Sequence, residues 1–365
     1  MFEFKPDYEK SHQRHLAFWD NELIDRPLVE FYLEKPQEER VPFPPSHHTD
    51  SAERWLDVEY QAEYNLAAMS NREFLGDGMP VVYPNLGPEL FSALYGCPLH
   101  FGDYGTSWSD PILHNWSEAD QIVLDWHHPY LKKLHELTDA FIEIGKGKFI
   151  TGITDIHAGG DAIAAFRDPQ NLAVDMLAYP AEIQALLRRV TDDYFKFYDI
   201  FYNQLKTAGL PITTWTMLVS DTKYYVPSND FSIMISKKMF DEMFLPGIIE
   251  ECQYMDHNIY HLDGPGALRH LDSLLSIKEL DAVQWVFGAG NEGFQRWVGV
   301  YQKIQAAGKG IQVNCEVSEI DQVMETLSPR GLYLNVSGVP DRATGLEMIV
   351  KLEKWCAQKV RFGQA

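Results

Sequence analysis

Cationic side chains are scarce in this 365-residue chain: 31 lysines and arginines stand against 53 aspartates and glutamates, for a formal charge of −22. A protein whose main task is to neutralise nucleic-acid phosphates needs the opposite balance. A highly anionic substrate would need a local basic pocket to oppose the overall field. Cysteine is sparse as well. Cys97, Cys252, Cys315 and Cys356 are widely scattered, so the short Cys or His spacings that announce a zinc site are missing, and in a reducing compartment these are expected to be free thiols. No run approaches the roughly 20 apolar residues that span a bilayer, and the opening stretch MFEFKPDYEKSHQRH has no apolar core of signal-peptide length. A cytoplasmic location is the expectation. There is no P-loop, no GxSxG elbow and no low-complexity tract.

What is present reads as a globular chain, because its 13% aromatic and 45% hydrophobic shares are far from the composition of disorder. Residues 1–75 mix helical patterning (SAERWLDVEYQAEYNLAAM) with a proline-rich loop, VPFPPSHH, and one short strand near 28–34; they look like an extension or lid over the main fold. From Met79 a rhythm of short β-branched or aromatic runs, polar turns and apolar-periodic helices takes over. The strand candidates are Leu28 to Glu34, Met79 to Pro84, Phe149 to His157, Ile212 to Leu218, Asn258 to Gly264, Ala282 to Ala289, Gly310 to Glu316 and Gly331 to Ser337. Eight such units with intervening helices predict a TIM-like (β/α)8 barrel with an N-terminal helical extension, residues 76–365 forming the barrel and the whole forming one structural domain. The rival is an open doubly wound sheet. FGAGNEGF does not have the spacing of a dinucleotide-binding loop, and a tight strand-to-helix turn accounts for its glycines.

In such a barrel the chemistry gathers at the C-terminal ends of the strands. In NIYHLDGPG, His261 and Asp263 are two residues apart on one strand and so point to the same face. TDIHAGGD repeats the arrangement with Asp155 and His157, while Asp161 can serve as a helix cap or reach the mouth. A histidine with a carboxylate in reach can act as a general acid or base; the plainer account is a satisfied core histidine and a turn-forming aspartate. His261, Asp263, Cys315 and Glu316 are all of metal-ligand type, which leaves a zinc ion open, although Cys315 alone is equally a small buried hydrophobe. Trp108, Trp126, Trp215, Tyr224, Tyr225 and Trp285 are candidate pocket walls, joined at the rim by Asn291, Glu292 and Ser337. A glycosidase-like pair among Glu34, Asp155, Asp263 and Glu316 also stays open, since sequence does not supply their separation.

GPELFSALYG, TDIHAGGDAIAAFRDPQNLAVDMLAYPAEIQALL, NDFSIMISKKMFDEMFLPG and IYHLDGPG resemble, in content and order, the superfamily that joins uroporphyrinogen decarboxylase to the corrinoid-linked methyltransferases of the methylcobamide:coenzyme M type. The resemblance runs from about Met79 to the C-terminus and implies a TIM-like barrel. In the methyltransferase branch it implies a zinc held by a His-x-Cys pair and a later cysteine in a Cys-Gly turn. His261 matches that histidine, but Asp263 takes the paired position and Ser337-Gly338 the later turn, so hard donors replace thiolates and would bind zinc less selectively. Cys315 with Glu316, on the neighbouring strand, is the remaining source of a thiolate. The decarboxylase branch carries an arginine-rich N-terminal motif, where this chain reads DRPLVEFYLEKPQEERV with Arg26 and no cluster beside it. The expectation is therefore methyl transfer linked to a corrinoid protein, with His261 as ligand or acid/base, Asp263 and Glu316 as partners and Cys315 as a metal thiolate. Decarboxylation of an organic acid by His157 or His261, oriented by Asp155 or Asp263, is the alternative. A third reading is a non-catalytic binder of a corrinoid protein or ligand. A small-molecule substrate, a corrinoid protein and a second copy of the chain are the partners considered.

Overall fold

The computed structural model describes residues 2–103 and 105–361. Its principal elements are α1 (Tyr8–Trp19), β1 (Leu28–Glu34), β2 (Arg72–Gly76), β3 (Val81–Val82), β4 (Ile150–Thr151), α2 (Gly159–Arg167), α3 (Pro180–Thr207), β5 (Ile212–Thr213), β6 (Tyr224–Tyr225), α4 (Leu245–Tyr254), β7 (His257–Asp263), β8 (Ala282–Val286), α5 (Phe294–Ala306), β9 (Gly310–Glu316) and β10 (Leu332–Ser337). The main sheet runs β2-β1-β10-β9-β8-β7-β6, parallel throughout except for the antiparallel edge strand β2. The chain is thus a mixed α/β protein with a largely parallel central sheet.

β3 pairs with β4 in parallel, and single backbone bonds carry the pattern onward. Ile153 N–H donates to Thr213 O at 2.8 Å, and Asp77 N–H donates to Val29 O at 2.6 Å. The expected strand from Ile212 to Leu218 stops at Thr213 because the Thr214 hydroxyl bonds Ile153 O (3.0 Å) and the chain turns at Met217, which takes a left-handed φ of 61°. Arg72–Gly76 was not among the expected strands. Its antiparallel pairing with β1 falls outside the strand-helix-strand rhythm on which the expectation rested.

Helix α5 packs against β9 of the sheet. On α3, Ile183, Leu186, Val190, Tyr194, Phe197, Phe201 and Leu205 recur every three or four residues and are buried, which is the spacing of a stripe facing a core. On the sheet, Trp285 packs its ring against Trp297 of α5 (5.0 Å between centroids).

Only part of the N-terminal extension lies near the strand C-termini. α1 sits at the opposite end, where Trp19 stacks on His257 (5.2 Å), the first residue of β7, and donates to Val219 O (2.9 Å). Asp77 pins this region: its buried carboxylate takes hydrogen bonds from Arg14, Arg26 and Val29 N–H. The helices Ser51–Leu56 and Val58–Ser70 instead reach the Tyr83 side, where Trp55, Tyr60, Tyr83 and Asn85 line a cavity of about 490 Å³.

Candidate functional site

Residues paired in a parallel sheet share a face. The register aligns His261 with Gln284, Gln284 with Gln312, and Gln312 with Tyr333. This row is polar and lies on the face away from Trp285 and its helix. Further along it, Tyr333 donates to Glu30, whose carboxyl group burial pushes up to about 7. His261 Nδ1 lies 2.6 Å from Gln284 Oε1. A carboxamide oxygen only accepts, so it holds the proton on Nδ1 and leaves Nε2 free. Nε2 faces Asp230 Oδ1 at 3.9 Å, and the Trp215 ring stands edge-on to the imidazole with centroids 5.2 Å apart.

Asp230 is the hub. It follows the loop after β6 and belongs to two groups of three residues, His157-Asp161-Asp230 and Asp230-His261-Asp263, in each of which one ligating atom per residue lies within 4.8 Å of the others. Asp161 fixes it in place. That carboxylate accepts Asp230 N–H (3.0 Å) and Phe231 N–H (2.8 Å), so Asp161 does cap a helix, but the short one from Asp230 to Met234 and not its own. Gly159, with φ of +54°, supplies the turn that starts α2 and brings Asp161 round.

His157 lies among Asp155 (3.4 Å), Asp161 (3.9 Å) and Asp230. Burial alone would depress its pKa; attraction to the three carboxylates outweighs that and raises it to about 10, so the imidazole is charged at neutral pH. Asp161 is raised to about 6 by burial and by repulsion from Asp230. Asp155 also stands near Tyr83, where burial first and this carboxylate second raise the phenol to about 12. Among the described residues no lysine or arginine is paired with Asp155, Asp161, Asp230 or Asp263.

The other sequence candidates lie elsewhere or do other work. Cys315 is one residue out of phase with Gln312 and Asn314, so it points to the helix side with Tyr301; it is buried and its thiol is pushed up to about 12. It belongs to neither group around Asp230. Glu316 shares a capping box with Glu319. Trp285 is in the helix-side core rather than in a pocket wall. Trp108, 50% exposed, stacks on His100 in the Leu99–Phe101/Ser107–Ser109 hairpin. Tyr225 is buried and donates to Thr154 O at 2.7 Å, bracing the segment that carries Asp155. Asn291 is half-buried and accepts Trp297 Nε1–H through its backbone oxygen, and Ser337 donates to Cys315 O at 3.4 Å. Asp230, Gln284 and Tyr83 were missed by the sequence reading. A wide cleft of about 1370 Å³ is lined by charged residues such as Lys10, Arg14, Arg72 and Arg342 and contains none of the Asp230 cluster.

The arrangement therefore belongs to an α/β protein with a histidine-carboxylate cluster on loops and strand ends at one edge of a parallel sheet. Among solved structures the chain is similar to a methyltransferase from Methanosarcina mazei, with a TM-score of 0.60 and 10% identity over 94% of this chain and 98% of that one. At that identity the likeness is one of fold. Neither a protein-family model nor a curated protein sequence matches the chain. No described helix is long and apolar enough to cross a membrane.

Proposed function

We propose that this chain is a methyl-transfer enzyme of the uroporphyrinogen decarboxylase-like type, in which the strands close into an eight-membered ring and residues 1–75 and 76–365 form one domain. It acts on a small molecule held over Asp230, His261 and Asp263. The observation that carries the reading is the convergence of two histidines and four aspartates, from three separate stretches of chain, on one edge of the sheet. The fold likeness to a methyltransferase supports it.

A methyl group leaves its carrier without the bonding electrons, so the acceptor must offer a lone pair and lose a proton. His261 Nε2 is the base for that proton, with its tautomer set by Gln284 and the resulting imidazolium steadied by Asp230. The methyl carrier in this reading is a corrinoid held by a separate protein. One imidazole and two carboxylates also fit a divalent cation, whereas Cys315 faces away, so a thiolate-held zinc does not fit. Bound there, a cation would supply Lewis-acid activation of the acceptor. His157 is an electrostatic anchor rather than the acid: a group at about 10 gives up its proton poorly at neutral pH. The aspartates, which would repel an anionic substrate, argue against the decarboxylase alternative, whose acid is His157 or His261.

The test is anaerobic incubation with methylcobalamin and a panel of small thiols and amines, following the corrinoid spectrum. Demethylation should slow by about 100-fold or more in Asp230→Asn and His261→Gln and continue in Cys315→Ala. No demethylation by any acceptor, with carbon dioxide released from small carboxylic acids instead, would reverse the preference between the two chemistries.

A further inference from the structure

A second cavity, of about 180 Å³, lies among α3, α4, the start of α2 and the loop Ser228–Asn229, and none of the Asp230 cluster lines it. One water molecule occupies about 30 Å³ in the liquid, so the space suits a small organic molecule. Asn229 lines it, is 3% exposed, and leaves both Oδ1 and Nδ2 without a hydrogen-bond partner among the described residues. Such a group is costly unless something satisfies it. Gly160 makes its position tenable, since a Cβ there would come within 2.7 Å of Asn229 Nδ2.

Glu251, 6% exposed, faces the same space, and burial is the main cause that raises it to about 8. Thr191 gives its proton to Leu187 O (2.9 Å), which leaves its oxygen free to accept. Arg188, the one lysine or arginine in the lining, is already engaged by Asp192 and Glu250. Acceptors and negative charge therefore dominate, with Leu187, Met243 and Phe244 as an apolar wall.

We propose that this cavity binds a small organic ammonium ion, its N–H groups shared among Asn229 Oδ1, the Glu251 carboxylate and Thr191 Oγ1, its alkyl part against Leu187, Met243 and Phe244. The inference stands independently of the methyl-transfer reading. The bound cation gives Glu251 a counter-ion, so binding at pH 7 releases a proton. Because Asn229 precedes Asp230 in the chain, the occupant also touches the segment that carries the site's central carboxylate.

Ethylammonium chloride, titrated calorimetrically into the full-length protein at pH 7 in buffers of different ionisation enthalpy, tests this, with 1-propanol and sodium chloride as controls. The expected result is saturable 1:1 binding of the amine alone with proton release, at least tenfold weaker in Glu251→Gln and unchanged within twofold in His261→Gln. Gly247→Leu should abolish it while still folding, since a Cβ at 247 meets only Thr191 Oγ1 at 3.8 Å. No saturable binding to the wild type, equal binding by Glu251→Gln or Gly247→Leu, or loss in His261→Gln would each overturn the proposal.

Discussion

Replacing His157 by glutamine removes the one charge that holds Asp155, Asp161 and Asp230 together, and the size of the effect follows from the pKa. An imidazole raised from 6.5 to about 10 binds its proton more tightly in the folded state. At about 1.4 kcal/mol per pH unit this contributes on the order of 5 kcal/mol as a ceiling, reduced because one edge of the ring meets solvent. The folded pKa lies above the unfolded one, so the contribution is fully present below pH 6.5 and is lost as pH rises toward 10. Urea unfolding of wild type and His157→Gln should therefore show a gap that is greatest at pH 6 and smaller by about 2 kcal/mol at pH 8.5. Subtracting the variant removes the other titrating groups to first order. Asp161, held up to about 6 by burial and Asp230, will rise further once the imidazolium is gone, so the variant should take up protons near neutrality. A gap that stays constant from pH 6 to 9.5 would refute the charged assignment of His157.

Asp77→Asn removes the carboxylate shared by Arg14 and Arg26 in the buried anchor of α1 and should cost about 3–5 kcal/mol in urea unfolding. Gln284→Leu keeps the volume but takes away the acceptor on His261 Nδ1. Histidine ¹⁵N spectra should then show mixed tautomers, and methylcobalamin demethylation should fall about 10- to 100-fold with little change in unfolding midpoint.

The long strands were legible because their patterning is local. Leu28–Glu34 and Gly310–Glu316 have the boundaries read from the sequence, and His257–Asp263 differs by one residue at each end. The expected strands at 79–84 and 149–157 shrink to Val81–Val82 and Ile150–Thr151, since beyond Thr151 only single backbone bonds, Gly152 N–H to Val82 O and Ile153 N–H to Thr213 O, continue the pairing. The two-residue spacing of His261 and Asp263 puts both in one group with Asp230, as face alternation requires. The same alternation separates Cys315 from them, but that depends on the register of β9 against β8, which aligns Gln312 with Gln284 and is not written in either strand alone. Asp230 carries no local mark. It sits in a polar loop, and its place comes from Asp161, 69 residues earlier in the chain.

The most direct measurement is the behaviour of both site histidines in Asp230→Asn, followed by long-range ¹H–¹⁵N spectra of histidine-labelled protein across pH. Neutralising this carboxylate should let His157 lose its proton at lower pH than in the wild type and, in the same variant, shift the Nε2 resonance of His261. If either histidine is indifferent to the substitution, Asp230 does not join the two groups, and the single site built around it is contradicted.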